Sequence, residues 1–186
     1  MKLTELVIAT SNMHKIRELR SILKHLRHLD ILSLSDFPHY TAPPETGSTF
    51  QENALLKARH AATALGRWVL ADDSGLVVPA LGGEPGVRSA RYAGENATDA
   101  DNRKKLLEQM HHLMAEDRRA YFECCLALVS PSGKEKCVCA SCEGAILSQP
   151  TGGGGFGYDS LFIKDGYSKT FGELEESTKN RISHRR

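Results

Sequence analysis

Asp72 and Asp73 stand side by side in ADDSGLVV, residues 71–78, directly after the apolar run 68–71. Desolvating an ion costs several kcal/mol unless it is paired, hydrogen-bonded or bound to a metal. Two acids at the expected end of a buried strand therefore require a cation or a proton to manage. Glu45, in a loop ahead of a helix, supplies a third carboxylate. Such a sparse acidic set suits Mg²⁺, which takes few protein oxygens and completes its shell with water and substrate phosphates.

A second polar group lies in ATSNMHKIRE, residues 9–18, between a strand end and a helix start. The hydroxyls of Thr10 and Ser11, the Asn12 amide and the Lys15 ammonium sit where helix N–H groups and the helix dipole attract phosphate. An ordinary helix cap followed by a surface lysine fits the same spacing, and no glycine-rich phosphate loop decides between the two readings. Lys57 lies four residues beyond Asn53, hence on the same helical face, where it reaches either a phosphate or solvent.

The elements that must position these groups follow from periodicity. Leu6–Ala9 reads as a short buried strand, and the next segment carries Ile16, Leu19, Ile22, Leu23 and Leu26 on one helical face. A weak strand over 31–34 leads to FPHYTAPPETG, whose prolines exclude regular structure. The following helix opens with Ser48, Thr49, Gln51 and Glu52 in capping-box spacing and carries a stripe of alanines. A helix is predicted over about 98–114, then a long β-hairpin from AYFECCLALV through SPSGK to EKCVCASCEGAIL, and a strand in YDSLFI. The pattern is one α/β domain over 1–186 with a mixed β-sheet flanked by helices, in two lobes.

Two motifs carry little weight. Gly152, Gly154 and Gly157 satisfy G-x-G-x-x-G, but strand-like residues follow where a dinucleotide fingerprint needs a helix. Cys137, Cys139 and Cys142, with Cys124 and Cys125 opposite, have spacing that zinc could use, but packing thiols are the simpler expectation. An odd, clustered set of five cysteines reads as reduced thiols. With 186 residues, 40% hydrophobic and 25% charged, and net charge +1, the chain offers no overall field for nucleic acid or membrane. The local run Lys15, Arg17, Arg20, Lys24, Arg27 is expected to be a solvated helix face. No signal-peptide core or membrane-length run is evident, so a cytoplasmic protein is expected.

Several blocks together resemble the inosine triphosphate pyrophosphatase family. They are ATSNMHKIRE, ETGSTFQENALLKARHAA, ADDSGLVVPALGGEPGVRSARYAG, GGGGFGYD and the terminal SHR. The resemblance implies an elongated α/β fold of two lobes with the active-site cleft between them, usually a homodimer. It implies Mg²⁺-dependent hydrolysis of noncanonical purine nucleoside triphosphates (ITP, dITP, XTP) to the monophosphate and pyrophosphate. By the same resemblance Thr10, Ser11, Asn12, Met13, His14 and Lys15 form the phosphate loop, Glu45 is a metal-side acid, and Lys57 contacts phosphate. Asp73 is the proton acceptor and a metal ligand, with Ser74 in the substrate-contacting turn. Phe156, Gly157, Tyr158 and Asp159 form the base loop, and Lys169, Ser183, His184 and Arg185 close over the purine.

Some positions depart from the family pattern. It reads glycine where Ser11 or His14 stands and proline at Ser160, and relatives continue beyond the SHR arginine. His184 and Arg185 are therefore expected at a frayed end. Because adjacent strand residues face opposite ways, Asp72 and Asp73 should do different work, Asp72 supporting the metal shell or the turn. Competing readings are a pyrophosphatase for pyrimidine or modified nucleotides, a catalytically silent nucleotide-binding module, and a nucleic-acid-binding protein resting on the basic first helix.

Overall fold

Strand, loop and helix alternate through the first half of the chain, as the apolar periods require. The computed structural model describes residues 3–186. Its strands are β1 (Glu5–Ile8), β2 (Asp30–Ser33), β3 (Val69–Val77), β4 (Arg119–Val129), β5 (Glu135–Ile146) and β6 (Phe162–Lys164). The main helices are α1 (Met13–Leu23), α2 (Phe50–Leu65), α3 (Asp99–Gln109) and α4 (Glu176–Ile182). One six-stranded sheet runs β2-β1-β3-β4-β5-β6. It is mixed: β1 pairs in parallel with β2 and β3, whereas β5 and β6 are antiparallel. Contacts divide the chain into two compact units, Met1–Asp73 with Cys124–Ala140, and Ser74–Glu123 with Ser141–Arg186.

In the first unit Ile8, Ile16 and Leu19 form a buried cluster, with Ile31, Leu70 and Leu126 packed against it. The Asn12 side chain accepts the N–H groups of His14 and Lys15 and starts α1. Thr49 and Glu52 make the capping box of α2, which ends at Gly66 in the left-handed region (φ +62°). Ala54, Ala58, Ala61 and Ala62 are buried, as the small-residue stripe predicts. Arg17, Arg20, Lys24 and Arg27 are exposed and form a solvated face, but Lys15, the first residue of that basic run, is turned inward onto Asp72.

In the second unit Leu76, Val78, Leu106, Met110, Phe122, Phe162 and Phe171 belong to one core cluster. The Phe122 and Phe162 rings meet edge to face with centroids 4.8 Å apart. Asn102, buried on α3, accepts the Ala93 N–H and donates to the Ala90 carbonyl, tying the preceding turn to the helix.

Four expectations need correction. Asp72 and Asp73 lie in the middle of a nine-residue strand, not at its end. The strand continues because Gly75 permits close approach: a Cβ there would collide with the Ser89 hydroxyl and the Gly86 carbonyl. Helix α3 stops at Gln109, several residues early, and the Met110 carbonyl is taken by the Arg118 guanidinium at 2.7 Å. Residues 158–161 form a turn, leaving β6 only three residues, and α4 arises in polar sequence that carries no apolar stripe. Finally, Cys125 and Cys139 are joined in a disulfide, against the expectation of reduced thiols. The β4–β5 hairpin sets their Cα atoms 4.1 Å apart, a pairing that cysteine number cannot reveal. The bond also removes Cys139 from any zinc set with Cys137 and Cys142.

Candidate functional site

Within the first unit, β3 presents its two acids to lysines of different helices, as alternation along a strand demands. Lys15 of α1 pairs with Asp72 Oδ1 at 2.5 Å, and the Cys124 thiol donates to Asp72 Oδ2 at 3.0 Å. Lys57 of α2 donates to Asp73 Oδ1 at 2.7 Å, to Glu45 Oε1 at 2.9 Å and to the Asp72 carbonyl at 2.8 Å. An ammonium has three donors, and here all three are engaged. Lys57 therefore gathers the acids in this state; it does not stand open to solvent or phosphate.

Burial pushes the Asp73 carboxyl above its ordinary range, with Lys57 and Lys15 pulling the other way. Burial also opposes the Lys57 charge, but Asp73 and Glu45 outweigh it and hold the ammonium above its usual value. Asp73 Oδ2 is buried and has no hydrogen-bond partner among the described residues. A buried, unengaged carboxylate oxygen next to a second acid fits a divalent cation or a proton to be taken up.

The strand–helix turn resolves its ambiguity only in part. Thr10 Oγ1 accepts the Asn12 N–H at 3.2 Å, and Asn12 Oδ1 accepts from His14 and Lys15, so the cap is formed. Ser11, Met13 and His14 are exposed. Lys15 is not the surface lysine of an ordinary cap, however, since its side chain is only 13% exposed and faces a fully buried acid.

The loop of Glu45 is held by Asn53, which the helical spacing placed beside Lys57 without showing what it binds. Asn53, fully buried on the Lys57 face of α2, accepts the Gly47 N–H at 2.8 Å and donates to the Gly47 carbonyl at 3.4 Å. A Cβ on Gly47 would meet Asn53 Oδ1 at 2.7 Å, so glycine is required for the loop to lie this close. Asn53→Ala strands part-buried peptide groups and should lower unfolding stability by about 1–3 kcal/mol in chemical denaturation. A stability equal to that of the parent would contradict this reading of the loop.

The second unit assembles the remaining residues. Asp159 accepts the Phe156 N–H at 2.9 Å and pairs with Lys179, which is 3% exposed. The Lys179 ammonium lies 4.7 Å from the Phe156 ring centroid and the Arg185 guanidinium 5.6 Å. Arg185 also donates to Ser74 Oγ at 2.5 Å. Tyr158 is a packing residue: it is buried and its hydroxyl donates to the Ser89 carbonyl at 2.9 Å.

Three terminal expectations change. Lys169 is exposed, in the turn that precedes buried Thr170, and the lysine brought to Phe156 is Lys179. The signal that separates them is position on α4, five residues before His184. His184 stacks on core residue Phe122 with centroids 4.9 Å apart, drawing it into the hydrophobic cluster. Ser183, His184 and Arg185 are 5–7% exposed, so the end of the chain is packed, not frayed.

These features define an α/β protein with a mixed six-stranded sheet, a lysine-gathered acid site and an aromatic ring with two donor-only side chains over it. The chain belongs to the Ham1 family, whose profile matches residues 6–186. It is 60% identical to the dITP/XTP pyrophosphatase of Protochlamydia amoebophila, over 98% of this chain and 92% of that protein. The structure of a HAM1 protein from Coxiella burnetii superposes with a TM-score of 0.88 at 42% identity, covering 98% of this chain and 93% of that one. The Staphylococcus aureus Ham1 protein gives 0.85, also at 42% identity, with 97% and 92% covered.

Proposed function

We propose that this chain hydrolyses noncanonical purine nucleoside triphosphates (ITP, dITP and XTP) to the nucleoside monophosphate and pyrophosphate. The observation that carries the reading is Asp73: one oxygen is fixed by Lys57, and the other is buried without a partner among the described residues. The similarity to a relative named dITP/XTP pyrophosphatase supports the choice of substrate.

In this mechanism Asp73 Oδ2 orients a water and takes its proton as the water oxygen bonds to the α-phosphorus. The bond from the α-phosphorus to the bridging oxygen breaks, and pyrophosphate leaves with the electron pair. Lys57 keeps Asp73 and Glu45 in register, the hydroxyls of Thr10 and Ser11 at the start of α1 hold the departing phosphates, and Lys15 stays paired with Asp72 beneath them. Glu45 and Asp73 would hold Mg²⁺, which supplies neutralisation of the triphosphate charge when bound. Phe156 stacks on the purine, and Lys179 and Arg185 address its polar edge.

The deciding assay combines the protein, Mg²⁺ and ITP with separate detection of pyrophosphate and orthophosphate. Pyrophosphate is expected as the first product, and orthophosphate in its place would overturn the mechanism. A homodimer, implied by the family resemblance, is part of the proposal, and a monomer in sedimentation at assay concentration would remove it. Cytoplasmic action is proposed as well, since nucleotide pools reside there and no helix among the described residues can cross a membrane; recovery of the protein in another cell fraction would contradict it.

A further inference from the structure

We infer that Asp99 and Arg103, one turn apart on α3, are positioning residues for base recognition, acting through the peptide groups of Gly157. The inference rests on the reading of Phe156 as the ring that stacks on the purine.

Asp99 Oδ2 accepts the Gly157 N–H at 2.6 Å, and Arg103 Nη1 donates to the Gly157 carbonyl at 2.7 Å. Spacing of i and i+4 puts an acceptor and a donor on one helical face, matched to the donor and acceptor of one residue. Gly157 sits in the left-handed region (φ +57°), where a glycine is conformationally free in the unfolded chain and needs external restraint to hold one geometry. On the other side, Asp159 accepts the Phe156 N–H. The peptide groups flanking the Phe156 Cα are thus held by charged side chains, and rotation of the peptide between residues 156 and 157 would swing the ring.

The clamp stands on a rigid mount. Thr98 and Asp101 form the capping box that starts α3, and Asn102 ties the helix to residues 90 and 93. Asp99 is exposed and Arg103 half-buried, and neither belongs to the core cluster. Their removal therefore leaves apolar burial intact, while two charge-assisted bonds to the base loop are lost.

Steady-state kinetics with ITP and ATP on Asp99→Ala, Arg103→Leu, Asp99→Asn and Phe156→Ala test this. Asp99→Ala and Arg103→Leu should each raise KM for ITP about tenfold at unchanged kcat. Both should also narrow the ITP-over-ATP ratio of kcat/KM, because a purine stacked on a displaced ring no longer presents its C6 position to Lys179 and Arg185. Their melting temperatures should stay within about 4 °C of the parent. Asp99→Asn keeps an acceptor oxygen and should retain the parental KM. Amide hydrogen exchange at Gly157 should quicken in Asp99→Ala alone of the two Asp99 variants. Parental KM in Asp99→Ala and Arg103→Leu, with a raised KM in Phe156→Ala, overturns the clamp and leaves the base-loop reading standing. Parental KM in Phe156→Ala overturns both. Should Asp99→Ala misfold, a KM raised about tenfold in the well-folded Asp99→Asn overturns the inference, since that variant preserves the bond.

Discussion

Asp73→Asn should lower ITP turnover by about 10² or more while the nucleotide still binds. The substitution keeps the side-chain shape, so its consequences follow from donor and acceptor identity. Lys57 donates to Oδ1 at 2.7 Å, and an ammonium can only donate, so the new amide must turn its oxygen toward Lys57. Its NH₂ then occupies the position of the unengaged Oδ2. An amide nitrogen there neither accepts a proton from water nor binds a cation. Charge changes in the same direction: Lys57 keeps Glu45 as its one carboxylate partner, and the acid pair loses half its charge for a metal. Turnover and calorimetric nucleotide binding, measured on the same preparation, separate chemistry from affinity. Parental turnover would make Asp73 a structural acid whose only task is to pair with Lys57. Lost binding together with lost turnover would place the defect in the fold of the loop that carries Glu45.

What was legible in the sequence was local. Side-chain alternation along a strand assigns Asp72 and Asp73 to opposite faces before any partner is known, and the structure gives each its own lysine. The spacing of Asn53 and Lys57 places both on one face of α2, where they converge on the loop of Glu45 from two directions. Partner choice was not legible, because it is decided by tertiary placement. Lys15 and Lys57 both read as candidates for phosphate, yet each is already committed to an acid. Two lysines ten residues apart in a polar segment without apolar periodicity, Lys169 and Lys179, could not be ranked until α4 carried one of them to Phe156. The same holds for Cys125 and Cys139, whose pairing is a matter of hairpin register. Asp99 and Arg103 look like ordinary surface charges of a helix, and only the turn that brings Gly157 between them gives them work.

ITP and XTP should be hydrolysed with kcat/KM at least about 10²-fold above ATP. Phe156 is half-buried, and its ring can stack on any purine, contributing affinity without telling the bases apart. Discrimination must then come from the polar edge. The charged groups placed at that ring, Lys179 at 4.7 Å and Arg185 at 5.6 Å, are donors only. Inosine and xanthosine offer an oxygen at C6, which such groups can meet; adenosine offers an amino group, which sets donor against donor. A site whose donors are largely withdrawn from water penalises that mismatch because the unmet donors are left without a partner. GTP shares the C6 oxygen, so the comparison that isolates this position is ITP against ATP. Lys179 is anchored to Asp159 and Arg185 to Ser74, so neither group can simply swing away to admit an amine. Arg185→Ala should therefore narrow the ITP-over-ATP ratio mainly by slowing ITP, since ATP gains no acceptor when one donor is removed. If the unmodified protein turns over ATP and ITP equally, the Phe156 surface does not read the C6 position. If Arg185→Ala slows both substrates by one factor, its bond to Ser74 serves the fold of β3 and not the choice of base.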